Sequence, residues 1–243
     1  MQYLGGKYRL AGRIREVILR YRGDRNHYVE PFVGGGATFG RIAPEYASAF
    51  ASDIDPNIMA LWQAVRGGWV PPESSTIERY RELRTAPPSA ERAWYGYGLS
   101  YGGKWFGGFI GAGRCPKSGR SVHVPYEEGS KRSLARDRGA FEAEGVTLRC
   151  WPYDRVQVDA SAVVYCDPPY TGTTGYAPTF DSEKFWRWCE STADGGALVV
   201  VSEYAERPGW VDVAPWGDRP RYLNNEQGRT CVTERLLIRK DQA

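Results

Sequence analysis

Residues 163–170 read Val-Val-Tyr-Cys-Asp-Pro-Pro-Tyr, and this stretch restricts the possible folds and chemistries more than any other. The apolar, β-branched run predicts a buried strand, which Asp167-Pro168-Pro169-Tyr170 ends in a stiff, extended loop. Each proline fixes its own φ, lacks an N–H and disfavours helical backbone in the residue before it, so the loop's carbonyls are free acceptors. A carboxylate, rigid carbonyls and an aromatic ring at the carboxyl end of a strand suit a planar substrate that carries an NH2 group, as adenine and cytosine do. An aromatic amine is a poor nucleophile because its lone pair is spread into the ring. Acceptors on its N–H bonds draw that pair back and stabilise the positive charge that grows during attack on an electrophile, with no metal needed. Tyr170 supplies a stacking face. The plainer alternative is a strand closed by a proline turn whose aspartate caps a neighbouring backbone group.

Further toward the N-terminus, residues 28–33 read as a strand running into Gly34-Gly35-Gly36, where the backbone can come close to a ligand. A second strand, Ser48 to Ser52, is followed by Asp53, and Asp55 caps a helix that begins at Pro56. A glycine turn after one strand and an acid after the next form the nucleoside-binding pattern of an open α/β sheet, in which Asp53 accepts the ribose hydroxyls. A nicotinamide-dinucleotide site shares this logic, but Gly34-x-Gly36 is followed by Phe39 where a third glycine is required. Upstream, Tyr3-Leu4-Gly5-Gly6-Lys7 leads into an amphipathic helix carrying Leu10, Ile14, Val17, Ile18 and Tyr21 on one face. Lys7 can meet the carboxylate of a bound ligand there.

Tyr3-x-Gly-Gly-Lys7, Glu30-Pro31-Phe32-Val33-Gly34-Gly35-Gly36, Asp53 and Asp167-Pro168-Pro169-Tyr170 occur in one order along the chain. In these motifs the sequence resembles the Dam-like family of DNA adenine methyltransferases. The resemblance implies a Rossmann-like α/β fold and S-adenosylmethionine as methyl donor. It places Tyr3, Lys7, Glu30, Phe32, Gly34, Gly36, Asp53 and Asp167 at the cofactor, and it has Asp167, Pro168, Pro169 and Tyr170 grip a flipped adenine. It also implies a target-recognition domain between Asp53 and the D-P-P-Y motif. The asparagine-bearing stretch that the family uses between these motifs is not recognisable, so the recognition sequence stays open.

That intervening region is distinctive. Aromatics alternate with glycines from Trp94 to Phe109, and a basic segment follows. From Lys104 to Arg138 there are eight Lys or Arg against three acids, a surplus of five on a chain whose net charge is +3, so the remainder carries −2. Lys104, Trp105, Arg114, Lys117, Arg120, Lys131, Arg132, Arg136 and Arg138 are therefore the candidate DNA contacts. A loop packed by its own rings and a solvated basic face are the competing readings. The 243 residues suit one core with an insertion, and we expect a catalytic domain of residues 1–67 and 156–243 with an inserted target-recognition domain of residues 68–155.

No apolar run approaches the roughly 20 residues that a membrane-spanning helix needs, and five cysteines without a C-x-x-C pair suggest a reduced, cytoplasmic protein with no metal site. The expected partner is double-stranded DNA. Ser202-Glu203-Tyr204 ends a further strand and reads as a surface turn. Three rival functions share the motif logic: methylation of the exocyclic N4 amine of cytosine, action on RNA or a protein amide, and DNA binding without turnover.

Overall fold

The computed structural model describes residues 1–110, 114–115, 122–123, 126–169, 180–216, 220–225 and 228–243. A seven-stranded sheet organises them: β1 (His27–Glu30), β2 (Ser48–Ser52), β3 (Val146–Arg149), β4 (Ala162–Cys166), β5 (Leu198–Glu203), β6 (Trp210–Asp212) and β7 (Arg235–Arg239). In space the order is β3-β2-β1-β4-β5-β7-β6. The first five pair in parallel, while β7 runs antiparallel to β5 and to β6. This is a Rossmann-like sheet. Strand order reverses between β1 and β4, and the crevice beyond the carboxyl ends of those two strands is where ligands bind in such sheets.

Alternation along β4 divides the core. Val163 and Tyr165 face one side with Tyr28, Ala49, Ala51, Leu198 and Val200. Val164 and Cys166 face the other with Val29, Val199 and Val201. Burial on both faces explains why β4 is apolar throughout instead of alternating with polar residues. Helices α1 (Ala11–Tyr21), α2 (Phe39–Ile42), α3 (Pro56–Arg66), α4 (Ile77–Leu83), α5 (Ala90–Ala93) and α6 (Tyr126–Glu142) contribute to the first face. Helix α7 (Ser182–Asp194) covers the second with Phe185, Trp186, Cys189 and Ala193.

Helix starts follow the expected chemistry. Asp55 accepts the Asn57 N–H at 2.8 Å with Pro56 in the first turn, and Asp181 accepts the Lys184 N–H at 2.9 Å. The expected insertion of residues 68–155 contains β3, which pairs with β2 from Val146 to Arg149, so the sheet takes its edge strand from inside that range. Helix α6 likewise packs into the main core through Leu134, Ala140 and Phe141. The ring of Phe141 stacks on Trp62 of α3 at a centroid distance of 3.8 Å and 6° between planes. Among the described residues no helix is long and apolar enough to cross a membrane.

The aromatic and glycine-rich stretch folds on itself. A π-helical turn, Trp94–Gly98, leads to a 3₁₀ turn, Tyr101–Gly103. Tyr80 meets Phe106 and Phe109 at 5.0 and 5.2 Å, while Tyr97 meets Trp105 at 4.6 Å. Tyr101, Lys104 and Trp105 remain exposed on its outer side.

Candidate active site

Topology brings acids to one edge. Glu30 is the last residue of β1, Asp53 follows β2, Asp167 follows β4, and Glu203 is the last residue of β5. Because β7 is antiparallel, its beginning lies at the same edge: Arg235 pairs with Glu203, and Glu234 immediately precedes it. Lys7 Nζ reaches into this group, 2.7 Å from Asp167 Oδ1 and 3.1 Å from Glu234 Oε1. All but Asp167 are buried.

The electrostatics follow from that burial. Desolvation alone would lower the Lys7 pKa, but the Asp167 and Glu234 carboxylates outweigh it and hold the ammonium above its usual range. Burial pushes the Glu30 carboxyl up to about 8, against the opposing hydrogen bonds from Thr38 and Tyr28. Tyr28 Oη donates to Glu30 Oε2 at 2.6 Å, and Thr38 Oγ1 donates to Glu30 Oε1. Burial also raises Asp53 to about 6, opposed by the backbone N–H groups of Asp55 and Gly34, each 2.9 Å from a carboxylate oxygen. Glu203, expected on a surface turn, is instead buried with its pKa raised by desolvation. The reason is positional: Glu203 ends β5, which lies between β4 and β7 in the sheet, and it pairs with Arg235 of β7.

The glycine turn packs against protein side chains. A Cβ at Gly34 or Gly35 would come within 2.7 Å of Tyr3, and one at Gly36, whose φ is +73°, would lie 2.4 Å from Trp62 Cζ2. The indole N–H of Trp62 donates to the Gly34 carbonyl at 2.9 Å. Tyr3 thus forms a wall over the turn, with its ring 4.9 Å from Tyr97, whose hydroxyl donates to Asp55 Oδ2 at 2.5 Å. Phe32 points to the opposite face, among Tyr153, Phe180 and Phe185.

Asp167, Pro168, Lys7, Glu30, Gly34, Gly36, Tyr3 and Asp53 are thus gathered around one edge of the sheet, and Pro169 adjoins them. Tyr170, Lys117 and Arg120 lie outside the described residues, and Arg114 sits in a two-residue strand. The cations of α6 are largely engaged within the protein. Lys131 bridges Glu127 at 3.0 Å, Arg138 bridges Glu142 at 2.5 Å, and Arg136 contacts Asp137 and the Tyr8 hydroxyl, each at 2.7 Å. Arg132 is exposed. Sequence reasoning missed Glu234, Thr38 and the burial of Glu203. Among the described residues no group of His, Cys, Asp and Glu is arranged to hold a metal ion.

The residues present fit S-adenosylmethionine. Asp53 offers acceptors for ribose hydroxyls, Tyr3 offers a ring, and an excess of carboxylates suits a cationic ligand. Strand order and the acids at one edge define a Rossmann-like α/β sheet with a candidate nucleoside-binding crevice. Residues 3–87 match the family model of the D12 class N6 adenine-specific DNA methyltransferases. The DNA adenine methylase of Vibrio cholerae serotype O1 is 26% identical over 231 residues, covering 88% of this chain and 78% of that protein. The DNA adenine methylase of Haemophilus influenzae is 25% identical over 203 residues, covering 73% and 67%. By these matches the chain is similar to Dam-like DNA adenine methyltransferases. A solved structure of an Escherichia coli protein provisionally named a methyltransferase superposes with a TM-score of 0.43 at 12% identity, covering 95% of this chain and 84% of the other.

Proposed function

We propose that the protein transfers a methyl group to the exocyclic N6 amine of adenine in double-stranded DNA, at a specific site and on a flipped base. The observation that carries this reading is the position of Asp167, followed by two prolines, at the carboxyl end of β4 beside the strand-order reversal and within the same edge as Asp53. S-adenosylmethionine, when bound, supplies an electrophilic methyl group on a sulfonium. Asp167 accepts one N–H of the adenine amine, and the Pro168 carbonyl accepts the other. This draws the lone pair out of the ring and stabilises the positive charge that develops on nitrogen. Once the nitrogen carries the methyl group, its extra proton passes to solvent, so Asp167 need not act as a base before attack. Tyr170 stacks on the extruded base and recovers part of the unstacking cost. Of the candidate DNA contacts, exposed Lys104, Trp105 and Arg132 are assigned to meet the duplex. The protein acts in the cytoplasm, where its DNA substrate lies.

Methyl-tritiated S-adenosylmethionine and mixed-sequence duplex DNA test this directly. After hydrolysis to nucleosides, label is expected in N6-methyldeoxyadenosine. Label in N4-methyldeoxycytidine would replace the target base, and no label in any nucleoside would overturn methyl transfer in favour of DNA binding alone. Asp167→Ala is expected to lose about 10²–10³ in kcat or more, and Asp167→Asn to fail as well.

A further inference from the structure

We infer that Glu234 is a positioning residue for methyl transfer, anchoring the Lys7 ammonium so that Asp167 is held in one orientation and keeps its negative character toward the substrate amine. The inference rests on the function proposed above. Three observations carry it. Lys7 Nζ lies 2.7 Å from Asp167 Oδ1 and 3.1 Å from Glu234 Oε1, so the same cation joins both acids. Glu234 is 2% exposed, and its own backbone is fixed by the Trp216 indole, which donates to the Glu234 carbonyl at 2.7 Å. The antiparallel entry of β7 delivers this acid to the edge where the parallel strands deliver theirs.

The chemistry requires such a residue. Asp167 must attract hydrogens of a weakly basic amine, and a lysine paired with Asp167 alone would neutralise much of the charge that does so. With Glu234 present, the ammonium is shared between two carboxylates. Lys7 then fixes the orientation of the Asp167 carboxylate without cancelling its field. Glu234 acts through Lys7 and touches no reacting atom.

Glu234→Gln keeps the shape of the side chain and removes its charge. The expected result is a loss of about 10–100-fold in kcat, the scale of a misplaced catalytic group. KM for DNA and Kd for S-adenosylmethionine should stay within about twofold of the parent, a split that a general loss of structure would not produce. Unchanged kcat, or a fall in cofactor and DNA binding equal to the fall in kcat, would overturn the inference. If Glu234→Gln does not fold, the double variant Lys7→Gln/Glu234→Gln removes cation and anion together and leaves no unpaired buried charge between them. Its kcat should equal that of Lys7→Gln if Glu234 acts through Lys7, and a further loss of tenfold or more would overturn the assignment. A parent that transfers no methyl to DNA would sink the functional reading itself, an outcome distinct from an active parent with a silent Glu234→Gln.

Discussion

Trp62 and Phe141 lie face to face, their ring centroids 3.8 Å apart, and the indole N–H of the same tryptophan is bonded to the Gly34 carbonyl. The pair connects α6 to the glycine turn through one fully buried stack. Phe141→Ala should therefore cost about 3–5 kcal/mol, the usual range for deleting a buried phenyl ring. Urea denaturation measures this, and a loss below 1 kcal/mol would show that the stack contributes little.

Gly36 and Gly68 both have positive φ, +73° and +92°, but their surroundings differ. A Cβ at Gly36 meets Trp62 at 2.4 Å, whereas one at Gly68 meets nothing within 4 Å. Alanine at Gly68 should cost the backbone strain alone, roughly 1 kcal/mol. Alanine at Gly36 adds overpacking of about 1–3 kcal/mol. Equal melting temperatures for the two variants would contradict this.

Glu30 gives the ligand-free protein a pH dependence of known sign. Its folded-state pKa, raised to about 8 by burial, lies above the ordinary carboxylate value, so the folded chain binds the proton more tightly than the unfolded chain. Its contribution to stability is full below the unfolded value and is lost as pH rises toward about 8. Each pH unit of that window is worth about 1.4 kcal/mol. Thermal melts from pH 5 to 8 should show that the parent loses more stability with rising pH than Glu30→Gln does, since the variant lacks this contribution.

Asp53 should make cofactor affinity pH-dependent in the opposite sense. Its carboxyl, raised to about 6 by burial, ionises more readily once a cation occupies the edge. S-adenosylmethionine should therefore bind more tightly as pH rises through about 6, with proton release visible as buffer-dependent heat in calorimetry. Asp53→Asn should abolish that component.

Lys7→Met leaves Asp167 and Glu234 facing one another without their shared cation. Removing one member of a buried charge group costs about 3–5 kcal/mol. Stability should partly recover on acidification, because protonating either acid relieves the repulsion, and denaturation at pH 5 and pH 7.5 tests both points.

Much of this edge can be read in the sequence because strand ends are local signals. Asp53 and Asp167 follow runs of strand-forming residues directly, and Asp55-Pro56 announces a helix start. Glu234 is different: its place at the site depends on β7 running antiparallel, which no local pattern around Thr233-Glu234-Arg235 encodes. The glycines of residues 34–36 signal close approach, but not that Tyr3 and Trp62 are what approaches. On α6 the cations are easier to read than their neutralisation, although Lys131 with Glu127 and Arg138 with Glu142 stand at the spacing that pairs residues along a helix. β3 is four residues long and lies between polar segments, so its pairing with β2 settles its place where composition does not.

The acids Asp53, Asp167 and Glu203, which end neighbouring strands at one edge of the sheet, also bear on the order in which two substrates of opposite charge would bind. A phosphodiester chain is repelled by such an edge, while a sulfonium bearing an ammonium is drawn to it. On the function proposed above, the cosubstrate is therefore expected to bind first and to weaken the repulsion that the duplex meets. Departure of the spent thioether, which has no net charge, would restore that repulsion, so that the carboxylates the reaction needs would also favour release of the product strand.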